Sequence, residues 1–199
     1  MRAATSPHKP MKLLRPLFLA SLLAAPLLAF AEPRECLVVG VRDGDSITAR
    51  CGEPDAYEQL EVRLAGIDAP EMRQPFGRLA KQAMSELVYM KDVELDCIKT
   101  ESYGRSICKM MVAPDSAPEG PLTLDAGLAM LTTGMAWWYR AYAHEQPPQE
   151  RGQYEFAEFE AKAKHAGLWR DAAPIAPWDW RKTHRIERTP RRPDASPLP

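Results

Sequence analysis

Asp43 and Asp45 stand either side of a glycine in VRDGDSIT at 41–48, and Asp68 and Glu71 stand either side of Ala69-Pro70 in RLAGIDAPE at 63–71. Carboxylates gathered in this way repel one another unless a cation joins them, and their hard oxygens suit calcium. Two arginines accompany them, Arg63 at the head of the second motif and Arg105 in the tripeptide Tyr103-Gly104-Arg105. A pair of guanidiniums can fork onto the oxygens of a phosphate. Phosphodiester hydrolysis asks for this set: a group that activates water, and positive charge for the equatorial oxygens of a five-coordinate transition state. Each feature also has an ordinary reading. Asp-Gly closes hairpins, an outward arginine on a strand is a solvated charge, and the acids can be loop charges with no ion.

The elements that must hold these residues follow from period and punctuation. CLVVGVR and DSITARC flank Asp43-Gly44, so 35–51 reads as a hairpin. In YEQLEVRLAG at 57–66, Leu60, Val62 and Leu64 share one face and Glu61, Arg63 and Ala65 the other. That is a half-buried strand, with Arg63 pointing out and free to reach a ligand, and Pro70 stops it after Asp68. DVELDC and SICKMMV bracket Tyr103-Gly104-Arg105 and predict a second hairpin over 92–113. Helical spacing joins Leu79, Ala83, Leu87 and Met90 after Pro75, then Leu124, Leu128, Leu131 and Met135 with Trp138 continuing the stripe. A third helix carries Phe156, Phe159, Ala163 and Ala166 and stops at Gly167. Five strands before residue 113 are compatible with a small barrel.

Composition bounds the class. The chain has 199 residues, a net charge of -1 and 45% hydrophobic residues, which excludes disorder throughout and a multi-pass membrane protein. The average conceals a basic start at +4, an acidic middle at -8 and a basic end at +3 from Trp178 onward. Basic residues ahead of the apolar PLFLASLLAAPLLAFA, closed by an A-x-A pattern, read as an export signal over 1–31. Export to a periplasm or the medium makes disulfides the expected state of the four cysteines. Cys36 and Cys51 lie symmetrically about Asp43-Gly44, and Cys97 and Cys108 about Ser102-Tyr103, so each pair is expected to bridge its own hairpin. No CxxC pair supports zinc. From 171 to 199 the chain is rich in proline and arginine and reads as a flexible tail.

The three motifs, in this order, closely resemble the staphylococcal nuclease-like (thermonuclease) family. The resemblance runs from about Val38 to Trp169 and takes in DAGLAMLTTGMAWWYR and AKAKHAGLW. It implies an α+β, mainly β domain at 32–170, a five-stranded OB-fold barrel with about three packed helices, acting as an exported calcium-dependent nuclease on DNA and/or RNA. By the same resemblance Asp45 and Asp68 bind the calcium ion with the main-chain carbonyl of Ala69, where the family often has threonine, and Asp43 acts on it through water. Glu71 is then the general base and Arg63 and Arg105 stabilise the developing charge. Arg105 also assists the leaving 5′ oxygen, Tyr103 touches the terminal phosphate, and the products carry 3′-phosphate ends. The implied partner is nucleic acid, met by a monomer with no membrane attachment after signal cleavage. An acidic domain argues only against broad electrostatic coating of that partner. Trp137, Trp138 and Tyr139 read either as core or as base-stacking rings, and His165 and His184 carry no assigned role. A catalytically inert OB-type binding module and an exported structural protein are the rival readings. The module predicts gaps in the set Asp45, Arg63, Asp68, Glu71 and Arg105, and this chain has none.

Overall fold

The computed structural model describes residues 33–184; the expected signal segment and the last fifteen residues of the expected tail lie outside the described residues. In chain order the elements are β1 (Arg34–Val41), β2 (Ser46–Cys51), β3 (Glu58–Leu64), β4 (Ile67–Asp68), α1 (Gly77–Val88), β5 (Asp92–Thr100), β6 (Ser106–Val112), β7 (Leu124–Asp125), α2 (Ala126–Thr132), β8 (Trp137–Trp138), α3 (Pro148–Ala163) and α4 (Pro177–Thr183). The sheet runs β3-β2-β1-β5-β6-β7, and a parallel pairing of β3 with β6 closes its first five strands into a barrel. Closure leaves these strands without a free edge. The alternation in each strand fills the interior with Val38, Ile47, Ala49, Val62, Leu64, Val93, Leu95, Met110 and Val112, all buried.

Both hairpins form in the register that their cysteines demand. Cys36 faces Cys51 across β1 and β2, Cys97 faces Cys108 across β5 and β6, and both pairs are bonded. Each bridge sits away from its turn, so it fixes the register from which the turn residues project.

The helices dock on other faces than hydrophobicity alone selects. In α1 the buried stripe is Gly77, Ala80, Met84 and Val88, one position along from the expected one, and Leu79 and Met90 are exposed. Small residues decide this: a Cβ on Gly44 would lie 2.7 Å from the Cβ of Ala80, so the helix lies directly on the β1–β2 turn. In α3 the expected Phe156 and Phe159 are 61% and 65% exposed, while Tyr154, Ala157, Glu158 and Ala161 are buried. Polar anchoring outweighs the phenylalanines there, since Tyr154 donates to Asp125 at 3.0 Å and Glu158 pairs with both Arg140 and Lys162. Helix α2 is shorter than its apolar stripe, capped by the Asp125 carboxylate on the Leu128 N–H at 3.1 Å. Trp138 is accordingly not helical. It is buried in β8, where its indole N–H donates to Gln146 at 2.9 Å, so it belongs to the core.

Residues 177–183, placed in a flexible tail on composition, form α4 instead. Pro177 suits the first turn of a helix, and Trp178 packs edge-on against Trp137 with ring centroids 5.6 Å apart and stacks on Tyr139 at 5.4 Å. Among the described residues no helix is long and apolar enough to cross a membrane.

Replacing Cys97 and Cys108 together by alanine is expected to lower the unfolding free energy by about 3 kcal/mol, from the entropy of the loop each bridge closes. Urea unfolding without reductant measures it, and an unchanged midpoint would contradict the role given to the bridge.

Candidate active site

One end of the barrel gathers residues from four places in the sequence. The β2–β3 register sets Ser46 opposite Arg63, which brings the Asp43-Gly44-Asp45 turn against β3. The parallel β3–β6 register sets Val62 opposite Ser106, so Arg105 arrives beside Arg63. Asp68 is held in β4 by pairing with Trp137, and the neighbouring Trp138 N–H donates to the buried Glu158 at 3.1 Å. Glycine makes two of the approaches possible. A Cβ on Gly44 would meet that of Ala69 at 2.7 Å, and one on Gly77 would lie 1.9 Å from the Glu71 carbonyl oxygen. The result is a cavity of about 320 Å³ lined by Asp43, Asp45, Arg63, Asp68, Ala69, Glu71, Glu101, Arg105 and Arg181, among others.

Arg63 is the centre of charge. Its Nη1 lies 2.6 Å from Asp45 Oδ2, and its Nη2 donates to Asp68 Oδ1 at 2.9 Å and to the Ile67 carbonyl at 3.2 Å. Expected to point outward, it does leave the barrel interior, yet only 13% of its side chain is exposed because it enters this cavity. Asp45 also accepts from the Ala69 N–H at 2.7 Å and from the Ser46 hydroxyl at 2.9 Å. Burial alone would raise the Asp45 pKa; the Arg63 charge and these donors override it and hold the carboxyl below its usual range. Burial keeps Asp68 above its usual value against the hydrogen bonds of Arg181 and the charge of Arg63. Burial and the charge of Asp45 push Asp43 up to about 6.

Arg181 is the residue that sequence reading missed. From α4 it donates to Asp68 Oδ2 at 2.7 Å, to Asp68 Oδ1 at 3.1 Å and to Glu71 Oε1 at 2.8 Å, so it clamps two of the expected site carboxylates. A signal for it existed: PWDWRK places two tryptophans in a segment otherwise too polar to pack. Glu101 was missed too. Its carboxylate accepts from Arg105 Nε at 2.8 Å, while Arg105 Nη2 donates to the Tyr103 hydroxyl at 2.8 Å. Tyr103 itself is 70% exposed at the hairpin tip and braces Arg105 from outside the cavity lining. The structure thus brings together Asp43, Asp45, Arg63, Asp68, Ala69, Glu71 and Arg105, and leaves Tyr103 at the margin.

Among the described residues no three carboxylate, thiolate or imidazole groups form a ready cage for a metal ion. The donors are nevertheless of the right chemistry. Asp45 and Asp68 are near enough to share one guanidinium, and their oxygens are hard. Two fixed guanidiniums beside a carboxylate suit a tetrahedral oxyanion and a water to attack it.

Known proteins are similar to this chain. A family model described as staphylococcal nuclease homologue matches residues 61–171. A protein of Escherichia coli called ParB is 36% identical over 145 residues, covering 73% of this chain and 77% of its own. A micrococcal nuclease of Shigella flexneri is 35% identical over 149 residues, covering 74% and 80%. An uncharacterized endonuclease of Haemophilus influenzae is 35% identical over 155 residues, covering 78% and 77%.

The raised Asp43 carries a pH dependence. A carboxyl whose folded pKa of about 6 exceeds its ordinary value of 3.8 lends stability that is full below the lower value and lost as pH rises through the upper one. In chelator, Asp43→Asn is therefore expected to change stability little near pH 4 and to stabilise the protein by up to about 3 kcal/mol near pH 7. Thermal melts across that range test it, and a difference independent of pH would contradict it.

Proposed function

The chain belongs to the family of staphylococcal nuclease homologues, which makes it a phosphodiester-hydrolysing endonuclease, and we propose that it is an exported, calcium-dependent one acting on DNA and/or RNA. The observation that carries the reading is one cavity lined by Asp45, Arg63, Asp68, Glu71 and Arg105, drawn from separate segments, in which Arg63 and Arg181 bind Asp45, Asp68 and Glu71 while Arg105 is held apart by Glu101. Asp45, Asp68 and the carbonyl of Ala69 would hold the cation, which when bound supplies positive charge that polarises the scissile phosphate. The protein's own groups do the rest. Glu71 takes a proton from the attacking water, and Arg63 and Arg105 donate to the equatorial oxygens as charge builds on them. The bond from phosphorus to the 5′ oxygen breaks, Arg105 stabilises that oxygen as it leaves and takes up a proton from solvent water, and the phosphate stays on the 3′ side. Arg105 is suited to this because Glu101 and Tyr103 occupy its Nε and Nη2, while its Nη1 has no partner among the described residues.

Export is supported by the basic and apolar start with its A-x-A pattern, and by the pairing of all four cysteines, which belongs to an oxidising compartment. The chain is read as a monomer without a membrane anchor once the signal is removed.

Denatured DNA and RNA incubated with the mature protein should shorten with calcium and stay intact with chelator. Glu71→Gln should slow cleavage about a hundred- to a thousandfold, as loss of a group acting in the transition state does. Gel-shift binding with no shortening under any cation would overturn the reading. Arg181 holds both oxygens of Asp68, so a cation on Asp68 competes with it. Arg181→Met should therefore raise calcium affinity about tenfold by titration calorimetry, on the scale of one charge-assisted contact; an unchanged or weaker affinity would contradict that competition.

A further inference from the structure

A second, wider groove of about 1020 Å³ opens from the catalytic cavity and shares Glu71, Tyr139 and Arg181 with it. One wall is α4 and the other is the loop after Glu71, which Gln74 staples to the α4 approach by donating to the Ile175 carbonyl at 2.6 Å. The two tryptophans of α4 divide their work. Trp178 turns inward onto Trp137 and Tyr139 and anchors the helix. Trp180, two residues on and so about 200° around the helix, faces away from that packing. It is half-buried and lines the groove, with the His184 ring lying flat on it, centroids 3.6 Å apart and planes 10° apart. The core does not need this indole; His184, four residues on, covers one of its faces, and the ring also borders the shelf on the groove's other side.

Cations surround it. Arg73 and Lys182 line the same groove, and Arg73 and Arg78 line a shelf of about 600 Å³ that continues past Trp180. Lys182 pairs only with Asp179 on its own helix, while Arg73 and Arg78 make no ion pair among the described residues. Exposed guanidiniums without carboxylate partners are notable in a chain of net charge -1 whose folded part is acidic. A flat aromatic among exposed cations is the arrangement that binds a single-stranded polyanion: the ring takes a base and the cations take the flanking phosphates. A duplex, with its bases stacked inside, offers Trp180 nothing.

We propose that this groove is a single-strand subsite, in which Trp180 stacks one base and Arg73, Arg78 and Lys182 hold neighbouring phosphates, so that the strand runs over α4 into the catalytic cavity. This rests on the nuclease reading and adds to it the groove beside α4 along which a strand would reach the cavity.

Binding by the full mature chain carrying Glu71→Gln, which does not consume the probe, tests it by fluorescence anisotropy. The probes are a labelled single-stranded DNA of twelve nucleotides, the same sequence as a duplex, and a dinucleotide. Trp180→Ala should weaken the single strand about tenfold and the dinucleotide less than about twofold, with Trp180→Phe restoring most of the loss. Arg73→Ala with Arg78→Ala lies off α4 and so tests the groove even if Trp180→Ala disturbs the helix. It should flatten the salt dependence of single-strand binding by about 1.4 in the log–log slope. Equal losses for long and short probes, an unchanged salt slope, or a duplex bound as tightly as the single strand would overturn the subsite while the nuclease reading stands. Failure of the Glu71→Gln chain to bind any probe would overturn both.

Discussion

The guanidinium of Arg63 joins two buried carboxylates, and the arrangement of the whole catalytic end depends on that bridge. Asp45 is 5% exposed and Asp68 1%, so neither could carry its charge there without a partner. Removing one member of such a set leaves a buried charge uncompensated, at a cost of about 3 to 5 kcal/mol. The bridge also ties chain segments, because the same Asp45 oxygen that meets Arg63 accepts the Ala69 N–H from the loop that carries Glu71. Even so, carboxylates outnumber guanidiniums around it. Arg181 relieves part of the excess, while burial and the charge of Asp45 keep the Asp43 carboxyl above its usual range.

The barrel exists, in functional terms, to bring that bridge into line. Two hairpins, each fixed by a disulfide away from its turn, present the Asp43-Gly44-Asp45 turn and the Tyr103-Gly104-Arg105 tip at one end. Their convergence comes from the parallel β3–β6 pairing, which is a long-range contact between Val62 and Ser106 and sets Arg105 beside Arg63. Small residues then permit the final closeness. Gly44 admits Ala69 and Ala80, and Gly77 admits the Glu71 carbonyl, so the helix that covers the barrel also positions Glu71.

Much of this was legible in the chain. Period-two alternation gave the strands, Asp-Gly and the cysteine symmetry gave both hairpins with their bridges, and the three motifs named the residues that now line the cavity. What escaped notice did so for physical reasons. The faces of α1 and α3 are chosen by close packing of Gly77 and Ala80 and by the ion pairs of Glu158, and neither effect appears in a hydrophobic stripe. Helix α4 was hidden by proline and charge, which read as a tail; its stability comes from Trp178 meeting Trp137 and Tyr139, a contact between distant segments. Arg181, and with it the groove beside the site, was invisible for the same reason.

Arg63 is both the structural bridge and the proposed donor to the phosphate, and the substitution Arg63→Lys separates the two. Lysine keeps the positive charge near Asp45 and Asp68 but loses the planar fork that can serve a carboxylate and a phosphate together. The decisive measurement is the calcium-dependent rate of single-stranded DNA cleavage by Arg63→Lys, with a thermal melt on the same sample. A folded protein whose rate has fallen about a hundred- to a thousandfold is the predicted result. A folded protein cleaving at the unmodified rate would show that Arg63 holds the site together without taking part in the reaction.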